Sequence, residues 1–195
     1  EILVFDKNSE WNCEIKCKKK FTLLPLQLTR QKDIVPDIWL CFGIVKSRNI
    51  NTLIEKVSEI GIKKIIPIFT EFSMKLNKID RLRRISTESV EQSNSISIPE
   101  ITEVKLLIDL MKDWDEDRLI IFCDEQGGNS ILKSNKVFKK FKKFAIFIGP
   151  VGGWSIKDKN IIEQEKIFRV SLGKNILKAD TAAIYSLSCL RALME

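Results

Sequence analysis

Histidine is absent from all 195 residues. That gap excludes the commonest general base, the serine–histidine triads and any zinc site that needs imidazole. Long apolar runs are missing too, since no stretch approaches the roughly 18 residues of a membrane span. No basic segment followed by an apolar one opens the chain as a secretory signal would. Cysteine occurs five times, as Cys13, Cys17, Cys41, Cys123 and Cys189, but without the regular spacing of a disulfide framework. Cys13 and Cys17 alone do not build a four-ligand site, so no metal is expected. Cys41 and Cys123 fall in apolar runs, where a reduced cysteine behaves as a small hydrophobe. A reducing, cytoplasmic setting is the expectation. Neither G-x-G-x-x-G nor G-x-x-x-x-G-K-[ST] occurs, which removes the dinucleotide fingerprint and the P-loop. Internal repeats and low-complexity stretches are also absent. Chemistry is left to carboxylates, lysine, arginine, backbone dipoles, or a cofactor that is already reactive.

What is present is a core and a positive charge. Apolar residues make up 44% of the chain, and 33 Lys and Arg against 26 Asp and Glu give a net +7. Such an excess favours a polyanionic partner, with a lysine-rich solvated surface as the bland alternative. The chain opens without Met and inside a strand-like run, Ile2–Phe5, so it reads as part of a longer protein. With Trp11–Lys16 and Phe21–Leu28, this run makes a small, incomplete β unit over residues 1–35. Gln31–Asp37, with Pro36, reads as the linker.

From Trp39 the rhythm changes to alternating strand and helix. Trp39–Val45, Ile65–Phe69, Leu119–Cys123 and Phe144–Ile148 read as buried strands. Ile50, Leu53, Ile54, Val57 and Ile60 form one helical stripe, capped by Asn49 or Asn51 and closed by Gly61. Asp80–Gln92 and Ser130–Lys143 are predicted helices, and Leu106–Met111 a weaker amphipathic one. The pattern predicts an α/β fold with a mostly parallel sheet covered on both faces.

Phe144–Ala183 organises the rest. After the strand Phe144–Ile148, Gly149-Pro150-Val151-Gly152-Gly153 forces a tight turn or a close approach to a ligand. Ser155 and Asp158 fit a capping box, predicting a helix from Ile156 to about Lys166. Phe168–Leu172 is a second strand and Gly173–Lys178 a polar loop. Asp180 or Thr181 then caps a last helix with its stripe at Ile184, Leu187, Leu190 and Leu193. The two loops are expected to leave neighbouring strands at one sheet edge, where α/β sheets keep their ligands.

IGPVGGWS followed by VSLGKNILKADTAA resembles the paired signature of the RsmE family, roughly IGPEGGFS followed by LGxRILRxETAA. These are 16S ribosomal RNA uridine-N3 methyltransferases of the SPOUT superfamily. Lys46–Ile60 with Gly61 and Ile66-Pro67, Glu88–Ser93 with Pro99–Ile101, and Asp124–Gly128 resemble three further family segments in the same order. Residues 1–35 resemble the end of the family's PUA-like RNA-binding β-barrel with its linker, and residues 36–195 its methyltransferase domain.

The resemblance implies a C-terminal deep trefoil knot, a homodimer built on the last helix, and S-adenosylmethionine held by three loops. On this chain the cofactor residues would be Ile121, Cys123, Ile148, Gly149, Gly152, Gly153, Ser171, Leu172, Gly173, Ile176, Leu177 and Thr181. Asp180, Lys178, Glu91 and Gln92 are the catalytic candidates. Asp180 is equally a helix cap, and Glu91 and Gln92 equally a structural tie. Lys18, Lys19, Lys20, Arg81, Arg83 and Arg84 are the candidate RNA contacts, with 16S RNA in the 30S subunit as the implied substrate. The chain departs from the pattern at charged positions: Val151 replaces a glutamate, Asn175 and Lys178 replace arginines, and Asp180 replaces a glutamate. Two other readings therefore stay open. One is a knotted methyltransferase with another RNA target; the other is a catalytically weakened RNA-binding or assembly protein.

Overall fold

The structure is a computed structural model describing residues 1–6, 9–17, 20–31, 34–45, 47–76, 78–163 and 165–194. Three antiparallel strands open it: β1 (Ile2–Phe5), β2 (Ser9–Cys17) and β3 (Phe21–Gln31). They form a sheet of their own, in the order β1-β2-β3. Phe21, Leu23, Leu26 and Leu28 of β3 all stand exposed. Gln31 and Asp37, expected in the linker, are the last residue of β3 and the first of the next strand.

The remainder alternates strand and helix. β4 (Asp37–Gly43), α1 (Ser47–Ile60), β5 (Lys64–Phe69) and α2 (Ile79–Gln92) come first, then short β6 (Glu100–Ile101), β7 (Lys105–Leu106) and α3 (Leu107–Lys112). β8 (Arg118–Cys123), β9 (Asn129–Ser130) and α4 (Asn135–Phe138) follow. β10 (Lys143–Ile148), α5 (Ile156–Ile162), β11 (Ile167–Ser171) and α6 (Ala179–Met194) close the chain. Among the described residues the second sheet has the order β6-β5-β4-β10-β8-β11-β9, with β7 also on β5. Each of its pairings is parallel.

Strict alternation divides the apolar strands between two cores, as a sheet covered on both faces requires. Phe144, Ile146 and Ile148 of β10 pack with Leu40, Ile121 and the helices α1 and α6. Ala145 and Phe147 point the other way, to Cys41, Ile120, Phe122 and Trp114. Ile50, Leu53, Ile54 and Val57 of α1 are each at most 1% exposed. Burying each such side chain stabilises the fold by about 1.5–3 kcal/mol, so the stripe read from the sequence is what holds α1 down. Gly61, at φ +92, ends that helix in the left-handed conformation expected of a C-terminal glycine.

Four expectations need correction. β10 and β11 are not neighbours, because β8 lies between them. Ser130–Lys143 is not one helix: Ser130 pairs in β9, and Ser134 donates back to the Ser130 carbonyl (2.8 Å). That local side-chain bond competes with helix propagation and leaves a 3₁₀ turn and the one-turn α4. The last helix starts at Ala179, so Asp180 and Thr181 lie inside its first turn instead of capping it. Asn49 and Asn51 likewise lie within α1.

Candidate active site

β10, β8 and β11 end side by side, and the turns that follow them enclose one cavity of about 580 Å³. Asp124–Gly127 follow β8, Gly149–Val151 follow β10, and Leu172–Lys178 follow β11; all line it. Val45 after β4, Asn49 of α1 and Ala182 of α6 complete the wall. This volume lies within the range of small-molecule sites, and the position is the ligand-bearing end of a parallel sheet.

Buried charge fixes the first turn. Asp124 is almost fully buried, with its side chain 1% exposed. It accepts from Lys159 Nζ (3.0 Å) and Arg169 Nη1 (2.8 Å), and its Oδ1 takes the Gln126 amide (3.2 Å). Arg169 also donates to Glu163 and lies over the Phe122 ring, 5.3 Å from its centroid. The Asp124–Gly127 turn is thereby tied to both α5 and β11. Burial pushes the neighbouring Cys123 thiol up to about 12, so it lines the cavity as a neutral group.

The second turn is held by the predicted capping box. Ser155 Oγ accepts from the Asp158 amide (3.0 Å), and Asp158 accepts from the Ser155 amide (3.3 Å). The same carboxylate takes the Glu71 amide (3.4 Å), joining the loop after β5 to the glycine turn. Several glycines here make room for protein. A Cβ on Gly43 would lie 2.5 Å from Pro150 Cδ, and one on Gly152 2.9 Å from Phe72 Cβ. One on Gly149 would lie 3.1 Å from the Trp154 indole nitrogen. Gly127 and Gly173 differ, with φ of +102 and +125 and nothing within 4 Å of a built Cβ. These two turn the cavity wall itself.

A family model for an RNA methyltransferase domain matches residues 32–191. The small-subunit ribosomal RNA methyltransferase E of Rickettsia conorii is 30% identical over 156 residues, covering 79% of this chain and 64% of that protein. A Borreliella burgdorferi protein, methyltransferase E 2, is 30% identical over 168 residues, covering 82% of this chain and 67% of its own. The chain belongs to the RsmE family of RNA methyltransferases. It spans about two-thirds of the length of these curated relatives. The Neisseria gonorrhoeae family member, solved with S-adenosyl methionine bound, superposes with a TM-score of 0.85 at 18% identity. That match covers 98% of this chain and 82% of the other, so the two share a fold.

On this RsmE-family chain, Cys123, Ile148, Gly149, Gly153, Ser171, Leu172, Gly173, Ile176, Leu177 and Lys178 all line the one cavity. Ile121 does not: its side chain is wholly buried in the core. Gly152 packs on Phe72, and Thr181 is exposed on α6. Asp180 accepts from Asn49 Nδ2 (3.3 Å), which brings it against the cavity wall from the side. Glu91 and Gln92 end α2 and are exposed. The chain leaves α2 for β6, which pairs with Lys64 at the start of β5, so they sit at the opposite end of the sheet from the cavity.

Among the candidate RNA contacts, Lys18 and Lys19 lie outside the described residues. Lys20 and Arg81 are exposed. Arg84 reaches Glu88 at 3.7 Å, and Arg83 is committed to Asp80, Glu103 and the Ile101 carbonyl. Sequence reasoning missed Asn49, Glu125 and Trp154 as cavity residues. Asn49 meets Asp180 across 131 positions, and no local spacing signals that.

Proposed function

We propose that this chain transfers a methyl group from S-adenosylmethionine to N3 of a uridine in 16S ribosomal RNA of the 30S subunit. The observation that carries the reading is one cavity at the ends of three adjacent parallel strands, lined by the turns that follow them. Its volume suits a nucleoside-sized ligand, and Gly127 and Gly173 keep side chains out of it. Backbone N–H and C=O groups of the Ile148–Pro150 and Leu172–Leu177 turns are suited to hold an adenosine without dedicated side chains. Bound S-adenosylmethionine supplies a methyl group already activated on a sulfonium.

The protein's share is then to bind, orient, exclude water and remove the N3 proton. Asp180, steadied by Asn49, is our choice of proton acceptor in a chain without histidine. Lys178 is free of carboxylate partners among the described residues and faces the cavity, ready for a phosphate or a base oxygen. Glu91 and Gln92, far from the cavity within one chain, are left out of the chemistry. The same reading makes residues 1–35 the end of a PUA-like barrel and residues 36–195 a knotted SPOUT domain. The free apolar face of β3 supports the first, and the packing of α6 against α1 and β10 agrees with the second. A cytoplasmic homodimer completes it, in keeping with five unpaired cysteines and the exposed Tyr185 and Met194 on α6.

The test is incubation of the protein with labelled cofactor and unmodified 30S subunits, followed by mapping of the methylated nucleoside. Label at uridine N3 is the expected result. Cofactor binding without any transfer would overturn catalysis, and label on another base or on ribose would overturn the target.

A further inference from the structure

Three local irregularities converge where the small sheet meets the body of the molecule. Pairing of β2 with β3 slips in register between Glu10 and Trp11. Thr29 of β3 is the extra residue there, and such a bulge re-aims side chains around it; Glu10, beside the slip, is only 7% exposed. Its carboxylate accepts from Thr29 Oγ1 (2.8 Å), Arg30 Nε (3.2 Å) and Arg30 Nη2 (2.6 Å). Arg30 is thus set by its own sheet, with Nη1 turned outward. That nitrogen donates to the carbonyl of Asn94 (2.8 Å), and Nη2 reaches Asn94 Oδ1 (3.4 Å).

The socket is as particular as the plug. Asn94 follows α2 at φ +56, and it is the one non-glycine residue with positive φ among those described. The Ser95 amide bonds the Val90 carbonyl and the Asn94 amide bonds that of Glu91, the two bonds of a Schellman motif. Glycine is the usual residue there. Asparagine tolerates the conformation and adds an amide oxygen that glycine lacks. The guanidinium also sits at the C-terminal end of a helix, where positive charge is favoured.

We propose that the Glu10–Arg30–Asn94 contact is a clamp that sets the angle between the three-stranded sheet and the methyltransferase body. Arg30 is then a positioning residue for the RNA. The segment beginning Glu91-Gln92-Ser93 serves as the socket of this clamp, which accounts for its distance from the cavity. The inference rests on the RNA-methylating reading above, because that reading makes the small sheet an RNA-binding part.

The experiment compares wild type with Arg30→Ala, Arg30→Lys and Asn94→Gly. Asn94→Gly keeps the backbone conformation and the carbonyl while deleting Oδ1. In 30S methylation, Arg30→Ala should raise KM for the subunit about tenfold or more, the scale of lost charge-assisted hydrogen bonds. The kcat at saturation and the cofactor affinity by calorimetry should stay at wild-type values. Asn94→Gly and Arg30→Lys should fall between. A dye on the exposed native Cys17 reports the sheet's motion by time-resolved anisotropy, whatever the enzyme's substrate. Arg30→Ala should add a fast component that wild type lacks. Unchanged anisotropy, or a fall in kcat with KM unchanged, would overturn the clamp. Absence of methylation by wild type would overturn the enzymatic reading alone, with the anisotropy still deciding the clamp.

Discussion

Replacing Asp124 by asparagine tests whether buried charge holds the cavity wall. The exchange keeps the shape and leaves one oxygen for the Gln126 amide, while removing the charge shared by Lys159 and Arg169. Two charge-assisted bonds are weakened, each worth about 1.5–3 kcal/mol in a protein interior. Neither cation is stranded, however. Arg169 is 35% exposed and keeps Glu163, and Lys159 is 16% exposed and can reach water. Because the bonds are weakened and not abolished, the loss should fall below the sum for two such bonds, at about 2 kcal/mol in total. For a chain of this size that is about 4–8 °C in Tm, readable by calorimetry. Because the Asp124–Gly127 turn lines the cavity, affinity for S-adenosylmethionine should fall as well, by about tenfold if roughly 1.4 kcal/mol of the ordering is lost. Asp124→Asn combined with Lys159→Met should cost less than the sum of the two, since the residues share one bond. A Tm within about 1 °C of wild type and strict additivity would refute the electrostatic account of the turn.

Gly43→Ala should disturb the site from outside it. The new methyl would lie 2.5 Å from Pro150 Cδ and 2.7 Å from its nitrogen, so the turn after β10 must shift. Overpacking of this kind costs about 1–3 kcal/mol, and cofactor affinity measured by calorimetry should drop alongside Tm; an unshifted affinity would show that this turn is not part of the site. Asp37 gives a pH prediction. Burial pushes its carboxyl up, but hydrogen bonds from Arg118 and Lys63 outweigh that and hold it below the ordinary carboxylate value. Its contribution is therefore complete above the unfolded value of about 3.9 and is lost as pH falls through the lower folded value. Asp37→Asn also leaves Arg118, only 2% exposed, short of its main counter-charge, a loss of about 3 kcal/mol at neutral pH. In urea unfolding, the gap between wild type and variant should narrow progressively as pH falls below about 3.9; a gap independent of pH would contradict the argument.

Legibility followed the range of the interactions. β4, β5, β8 and β10 read correctly to within two residues because apolar runs buried on both faces have no other satisfactory home, and both cores use them; the two-residue strands β6, β7 and β9 are too short to leave such a signal. Ser155 and Asp158 were readable as a capping box because its two bonds span three residues. The order β10-β8-β11 was not readable: β8 and β10 look alike as sequence, and nothing local says which lies in the middle. The break at Ser134 was missed because a serine bonding back to the Ser130 carbonyl looks, in sequence, like any polar helix position. Asp180 was read as a cap from its residue type, whereas its carboxylate accepts from the adjacent Thr181 amide and from Asn49 on a different helix.

The glycines in and beside the cavity turns divide by what stands opposite them. Gly43, Gly149 and Gly152 face Pro150, Trp154 and Phe72, so they are fixed by packing. Gly127 and Gly173 face open space at positive φ, so only the course of the cavity wall demands them. The charged departures from the family pattern fall elsewhere. Val151 is 82% exposed and Asn175 is exposed too, both on the rim of the cavity. Losing a glutamate and an arginine there together leaves net charge unchanged and strands no buried ion. The rim charges that remain are Lys174 and Lys178 against Glu125, with Asp124 already neutralised from behind by Lys159 and Arg169. None of the charged departures therefore touches the buried ion pairs behind the cavity wall, and the rim carries two lysines against one glutamate. On the reading proposed above, those lysines would make point contacts with a phosphate and would not grip it as the planar fork of arginine does.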